Sequence, residues 1–155
     1  MDRIAHIAID DANLPVPTPE IEQERRVAVF DLLEENRFAL AREGAPAGPY
    51  DLTLGIRERR LVLAIAAGGG AAGEIVLSLA PFRQVVKDYW QICESYFDAV
   101  RRLPPSQIEA IDMARRGIHD EGARLLQERL EGKVDTDKAT ARRLFTLICV
   151  LHHGG

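Results

Sequence analysis

The densest chemistry in the chain lies over residues 112–124: Asp112, Arg115, Arg116, His119, Asp120, Glu121 and Arg124. If one helix runs through Gly117, then Asp112, Arg116 and His119 stand at i, i+4 and i+7 on a single face. If the helix ends at Gly117 and Asp120 caps a second one, free backbone amides open beside Arg115 and Arg116. Either arrangement can hold an anion, because helix N-termini offer N–H groups and guanidinium forks match carboxylate or phosphate. The same spacing also makes an ordinary solvated face of i,i+4 ion pairs. The break is the expectation, since Gly117 and Gly122 inside one helix would cost roughly 1 kcal/mol each relative to alanine.

A second polar group, Glu22, Glu24, Arg25 and Arg26, reads either as intrahelical ion pairs or as the donor of an arginine to a shared site. Trp90, beside Tyr89, carries a polar tip that suits the edge of a pocket or a dimer interface. Arg115, Arg116, His119, Arg25 and Trp90 are therefore the candidate ligand-binding residues, and no catalytic residue can be named. His6, His119, His152 and His153 lack HxxxH or HExxH spacing, so no metal site is expected. The pair His152–His153 suits the negative end of an apolar helix, and the terminal Gly154–Gly155 reads as a short tail beyond that helix. Gly68–Gly70 and Gly73 are not followed by Lys-Ser/Thr and join two strands, so the phosphate-loop and dinucleotide patterns fail and no cofactor is expected. Ser78, Ser95 and Ser106 sit in no nucleophile elbow. Cys93 and Cys149 lie in apolar helical contexts and read as reduced core residues.

The most legible element that must position these groups is a helix over residues 81–103. Counted from Phe82, its apolar residues fall at offsets 0, 3, 4, 7, 8, 10, 11, 14, 15 and 18, a 3.6-residue period. Pro81 suits its first turn, Ser78 stands just ahead as a possible cap, and Pro104–Pro105 end it. Five of the nine aromatic residues lie here, so this helix is expected at the centre of the core. Upstream, residues 3–9 read as an edge strand, and residues 10–17, with Asn13 among the turn formers, as a loop. Thr18 caps a helix over 19–35, with Pro19 at its first position and Asn36 suited to its left-handed end. A short strand over 37–40 and a Gly/Ala/Pro loop come next. Strands are expected over 50–56, 61–66 and 74–79, joined by a charged turn at 57–60 and a flexible connection at 67–73. Ser106 and Glu109 form a capping-box pattern for the next helix. Asp135 or Thr136 starts a last helix, apolar on nearly all sides. The expectation is a single α+β domain over 1–155: an antiparallel sheet of three to five strands packed on the 81–103 helix, with the 19–35 helix and C-terminal helices completing the core.

Composition narrows the function classes. The net charge of −4 and pI near 5.6 oppose general binding to nucleic acid or anionic membrane. Segment 106–131, which could pass for a helix-turn-helix, carries 4 basic against 6 acidic residues. The N-terminus lacks a signal-peptide pattern and no apolar run approaches a membrane span, so the chain is expected in the cytoplasm.

Three stretches, TPEIEQERRVAVFDLLEENRF (18–38), PFRQVVKDYWQICESYFDAVRRLPPSQIEAIDMARRGIHDEGARLLQERLEGK (81–133) and ARRLFTLICVLHHGG (141–155), resemble a small uncharacterised family of alphaproteobacterial proteins. Residues 41–73 resemble it least. The resemblance implies no activity, cofactor or catalytic residue, so none is carried over.

The leading reading is a non-catalytic protein-interaction or regulatory protein, with an unknown protein partner or a homodimer. The alternative is a small-anion-binding protein or an enzyme built on Arg115, Arg116 and His119. A cleft joining these to Arg25 or Trp90 favours the alternative, whereas a flat, exposed apolar patch favours the first.

Overall fold

The computed structural model describes residues 2–12 and 14–152. The readings of Asn13, His153 and Gly154–Gly155 fall outside these described residues.

The chain opens with strand β1 (Ile4–Ile9) and helix α1 (Pro19–Glu34). Thr18 Oγ1 accepts from Ile21 N at 3.2 Å, the expected cap. Asn36 takes a different task from the left-handed cap foreseen for it. Its side chain accepts from Ile4 N at 2.7 Å and donates to Ile4 O and Leu32 O, each at 2.9 Å, tying β1 to the end of α1 as a strand neighbour would.

Strands β2 (Phe38–Leu40), β3 (Tyr50–Arg57), β4 (Arg60–Ala67) and β5 (Gly70–Ser78) come next. The larger sheet runs β1-β3-β4-β5. Its β3–β4–β5 part is the expected antiparallel meander, but β1 lies parallel to β3, so the sheet is mixed rather than wholly antiparallel. The reason is connectivity: α1 and β2 separate β1 from β3 in sequence, enough chain for a parallel crossover. Both hairpins are tighter than expected. Glu58 and Arg59 turn β3 into β4 with φ of 53° and 62°, a left-handed pair usually filled by Asn-Gly. Gly68 and Gly69 do the same between β4 and β5, and the rest of 67–73 joins the strands.

A 3₁₀ turn, Ala80–Phe82, leads into α2 (Arg83–Arg102), and α3 (Pro105–Leu130), β6 (Val134–Thr136) and α4 (Lys138–Leu151) complete the chain. Ser78 Oγ accepts from Ala80 N at 3.3 Å rather than capping α2. Helix α3 is continuous through Gly117, which corrects the expected break. Ser106 lies inside its first turn and makes no cap bond, so the capping box is not formed. Strand β6 pairs antiparallel with β2 in a second sheet, and α4 therefore starts later, capped by Asp137 at 2.9 Å from Thr140 N.

The architecture is α+β, but the enveloped helix is α4. From Leu144 to Leu151 every α4 residue is buried. Helix α4 packs against α1, α3 and strand β3, while α2 docks chiefly on α3. The aromatic load of α2 made it look central, yet Trp90, Tyr96 and Phe97 are only partly buried. Among the described residues no helix is long and apolar enough to cross a membrane.

The two α3 glycines have opposite meanings. A Cβ at Gly117 would meet nothing, whereas one at Gly122 would run into the Phe145 ring of α4. Gly117→Ala is expected to stabilise the fold by up to about 1 kcal/mol through helix propensity. Gly122→Ala is expected to destabilise it by about 1–3 kcal/mol through overpacking. Urea midpoints of the two variants check both signs; a shared sign would refute the assignment.

Candidate functional site

Continuity of α3 puts Asp112, Arg115, Arg116 and His119 on the side that faces α1 and α4. There they meet Glu24 of α1, Tyr89 and Cys93 of α2, and Arg142, Arg143 and Thr146 of α4. A cleft of about 270 Å³ lies between these elements, with Arg115, Arg116, His119, Arg142 and Arg143 in its wall.

Most of this charge is already matched. Glu24 Oε1 accepts from the Tyr89 hydroxyl at 3.3 Å and the Cys93 thiol at 3.6 Å, and lies 3.5 Å from Arg115 Nη1. Arg115 also donates to Asp112 Oδ1 at 3.0 Å and stacks its guanidinium 4.4 Å from the Tyr96 ring centre. Arg116 meets Asp112 Oδ2 at 2.9 Å and is otherwise open to solvent. Arg143 holds Asp31 loosely at 3.9 Å. Arg142 Nε lies 3.3 Å from Asp120 Oδ1 but out of line for a hydrogen bond, leaving that buried N–H unmatched.

His119 Nε2 donates to the Arg142 carbonyl at 2.9 Å and lies 2.7 Å from Thr146 Oγ1. Burial, with the nearby positive charges of Arg142 and Arg115, pulls its pKa down to about 4, against the opposing effects of that carbonyl and of Asp120. The ring is neutral at physiological pH and its donor is committed to the main chain. Burial, then the Glu24 charge, pushes the Cys93 thiol up to about 12. Burial likewise raises Tyr89 and Cys149. Burial beside a carboxylate favours the protonated thiol over the reactive thiolate. The two cysteines are free and buried.

The five candidate residues thus divide. Arg115, Arg116 and His119 share the cleft. Arg25 does not join them, pairing instead with Asp11 at 2.9 Å and holding that carboxyl below its ordinary pKa. Trp90 does not face the cleft either. Its Nε1 donates to the Cys149 carbonyl at 2.9 Å, and its ring lies between two open hollows of about 860 and 1050 Å³ along α2. The first is bounded by Arg59, Arg83 and Lys87 over an apolar floor that includes Ile56 and Leu151. His152 lines the same hollow, its pKa lowered by burial and then by the Arg83 charge. Arg59, Arg83 and Lys87 pair with no carboxylate among the described residues. Sequence reasoning missed these cations because they lie on two distant elements. It also missed Arg142 and Arg143, although two arginines inside an apolar helix were a visible signal. Among the described residues no three His, Cys, Asp or Glu side chains converge in a way that could hold a metal.

The profile of the uncharacterised protein family UPF0262 matches residues 1–154. A UPF0262 protein of Jannaschia sp. (strain CCS1) is 74% identical over 155 residues, covering 99% of both chains. One from Cereibacter sphaeroides (strain ATCC 17023) is 72% identical over 158 residues, covering 99% of this chain and 100% of the relative. One from Ruegeria sp. (strain TM1040) is 68% identical over 159 residues, covering both chains entirely. The match includes residues 41–73, where likeness had looked weakest. No solved structure matches.

His119 makes stability depend on pH. Its folded pKa lies below the unfolded value of 6.5, so the unfolded chain binds the extra proton between about pH 6.5 and 4. The stabilisation is full above 6.5 and falls as pH drops through 4, by about 2–3 kcal/mol. Urea titrations at either end of this window should show that loss in the wild type and a smaller one in His119→Gln. Equal losses would exclude His119 as the cause.

Proposed function

The chain belongs to the UPF0262 family of uncharacterised alphaproteobacterial proteins, and we propose that it works by associating with another protein chain rather than by catalysis. The observation that carries this reading is the outer face of α2. Trp90, a residue type that anchors interfaces, sits half-buried at the edge of this face between two open hollows, beside cations that have no partner within the described residues. The buried chemistry points the same way: the thiol nearest a carboxylate is held protonated, and the neutral histidine donates to a main-chain carbonyl. A single-domain organisation is supported by one hydrophobic core that runs from Ile4 to Leu151. A cytoplasmic setting is supported by two buried, unpaired cysteines.

A photo-crosslinking residue in place of the exposed Gln91 should yield a protein adduct in cells, and the same residue in place of Glu109 on α3 should not. Absence of an adduct at 91 above that at 109 would overturn the reading.

A second reading rests on the cleft between α1, α3 and α4. Arg116 keeps most of its guanidinium in solvent, and Arg143 holds Asp31 at only 3.9 Å, so both have N–H groups to offer a small phosphate or carboxylate. Inorganic phosphate or a dicarboxylate is expected to raise the melting temperature of the wild type and not of Arg116→Ala. Equal shifts, or none, would remove this reading.

A further inference from the structure

From Arg83 to Asp98 the outer stripe of α2 is written in charge blocks, with Arg101 following at its C-terminal end. Arg83 and Lys87 are one helical turn apart, as are Glu94 and Asp98, with Trp90 and Gln91 between the two pairs. Like charges at i,i+4 destabilise an isolated helix; Arg83–Lys87 is such a pair with no relief, and Glu94–Asp98 is a second that Arg102 offsets in part. Lys87, Arg83 and Glu94 have no ion-pair or hydrogen-bond partner among the described residues. Asp98 is held by Arg102 from its own helix. Gln84 and Asp88 bond each other on the neighbouring flank, outside the stripe.

The pattern has a centre. Positions 83 and 98, 87 and 94, and 90 and 91 are equidistant from the midpoint of the Trp90–Gln91 peptide. Two copies of α2 laid antiparallel about a two-fold axis at that point set Arg83 against Asp98 of the partner and Lys87 against Glu94 of the partner, each pair occurring twice. Self-complementarity of this kind is what an isologous interface requires. The stripe from Arg83 to Asp98 is about 22 Å long, and the hollows flanking Trp90 leave room for the facing helix.

Resting on the association reading above, we propose that the partner is a second copy of this chain, docked antiparallel along α2 with Trp90 beside the two-fold axis. The charge blocks fix the antiparallel sense, since a parallel pair would face like with like.

Sedimentation equilibrium on the full chain tests this, with Trp90, the single tryptophan, as a fluorescence reporter of the same step. The wild type is expected to dimerise at tens of micromolar, more tightly at about 50 mM than at about 500 mM salt. Lys87→Glu alone puts Glu against Glu twice, and Glu94→Lys alone puts Lys against Lys twice; each is expected to weaken the dimer about tenfold or more. An equimolar mixture of the two single variants restores both pairs in a heterodimer, as does the double variant Lys87→Glu/Glu94→Lys in a homodimer. Both positions are exposed, and recovery on mixing cannot come from misfolded chains. A monomeric wild type at about 100 μM, or a dimer indifferent to both single changes, would overturn the proposal. An adduct at position 91 to a different protein, with a monomeric wild type, would overturn self-pairing and leave the association reading standing.

Discussion

Phe145 lies against the backbone of α3 at Gly122, where no side chain larger than hydrogen fits. Around the ring, Tyr89 stands edge-on at 5.8 Å and His119 lies tilted at 6.0 Å. This contact lets α3 approach α4 closely and cover the part of α4 that α1 and β3 leave open. A helix apolar all round must be covered all round, and each covering element is thereby fixed in place. Asp137 caps the start of α4, and Thr140 Oγ1 accepts from Arg37 N at 2.9 Å, joining the small β2–β6 sheet to the same helix.

Packing of α1 and α3 against α4, and of α2 against α3, has an electrostatic consequence. It draws Glu24 into a seam where water is scarce, and a carboxylate there needs donors. Tyr89, Cys93 and Arg115 supply them from two other helices. The same crowding commits His119 Nε2 to a main-chain carbonyl and keeps the ring neutral. A cluster that looks reactive as a list of residue types is, in its geometry, chiefly the polar stitching of a helical junction. What remains open toward solvent is Arg116, Arg143 and the outer face of α2.

Legibility in the sequence tracked the strength of the local signal. Helix α2, with its long apolar period, and strands β3 and β4, with their alternation, could be placed closely. Strand β6 could not, because three residues have no period and its pairing with β2 spans nearly a hundred residues. Gly117 and Gly122 are indistinguishable by propensity; only the presence of Phe145 opposite one of them separates a tolerated glycine from a required one. The centrality of α4 was masked for a related reason. Aromatic content draws the eye to α2, whereas envelopment shows as uniform apolarity, which says that a helix is covered but not by what. At the site, Arg115, Arg116 and His119 do share a face, but their partner Glu24 is contributed by α1, about ninety residues earlier.

The charge order along α2 shows how one pattern changes meaning once its surroundings are known. Read as a helix in water, Arg83–Lys87 and Glu94–Asp98 are two unfavourable neighbours, each worth a few tenths of a kcal/mol. Exchanging one member of each block would have given favourable i,i+4 pairs at no expense to the buried face, which lies on the opposite side of the helix. Covering side chains from elsewhere in the fold could have relieved the repulsion, but Arg83, Lys87 and Glu94 find no such partner among the described residues. Blocks that are poor within one helix, but for the relief Arg102 gives Asp98, and symmetric about a partly buried tryptophan become favourable when an oppositely ordered strip is laid across them, and the same helix running the other way is such a strip.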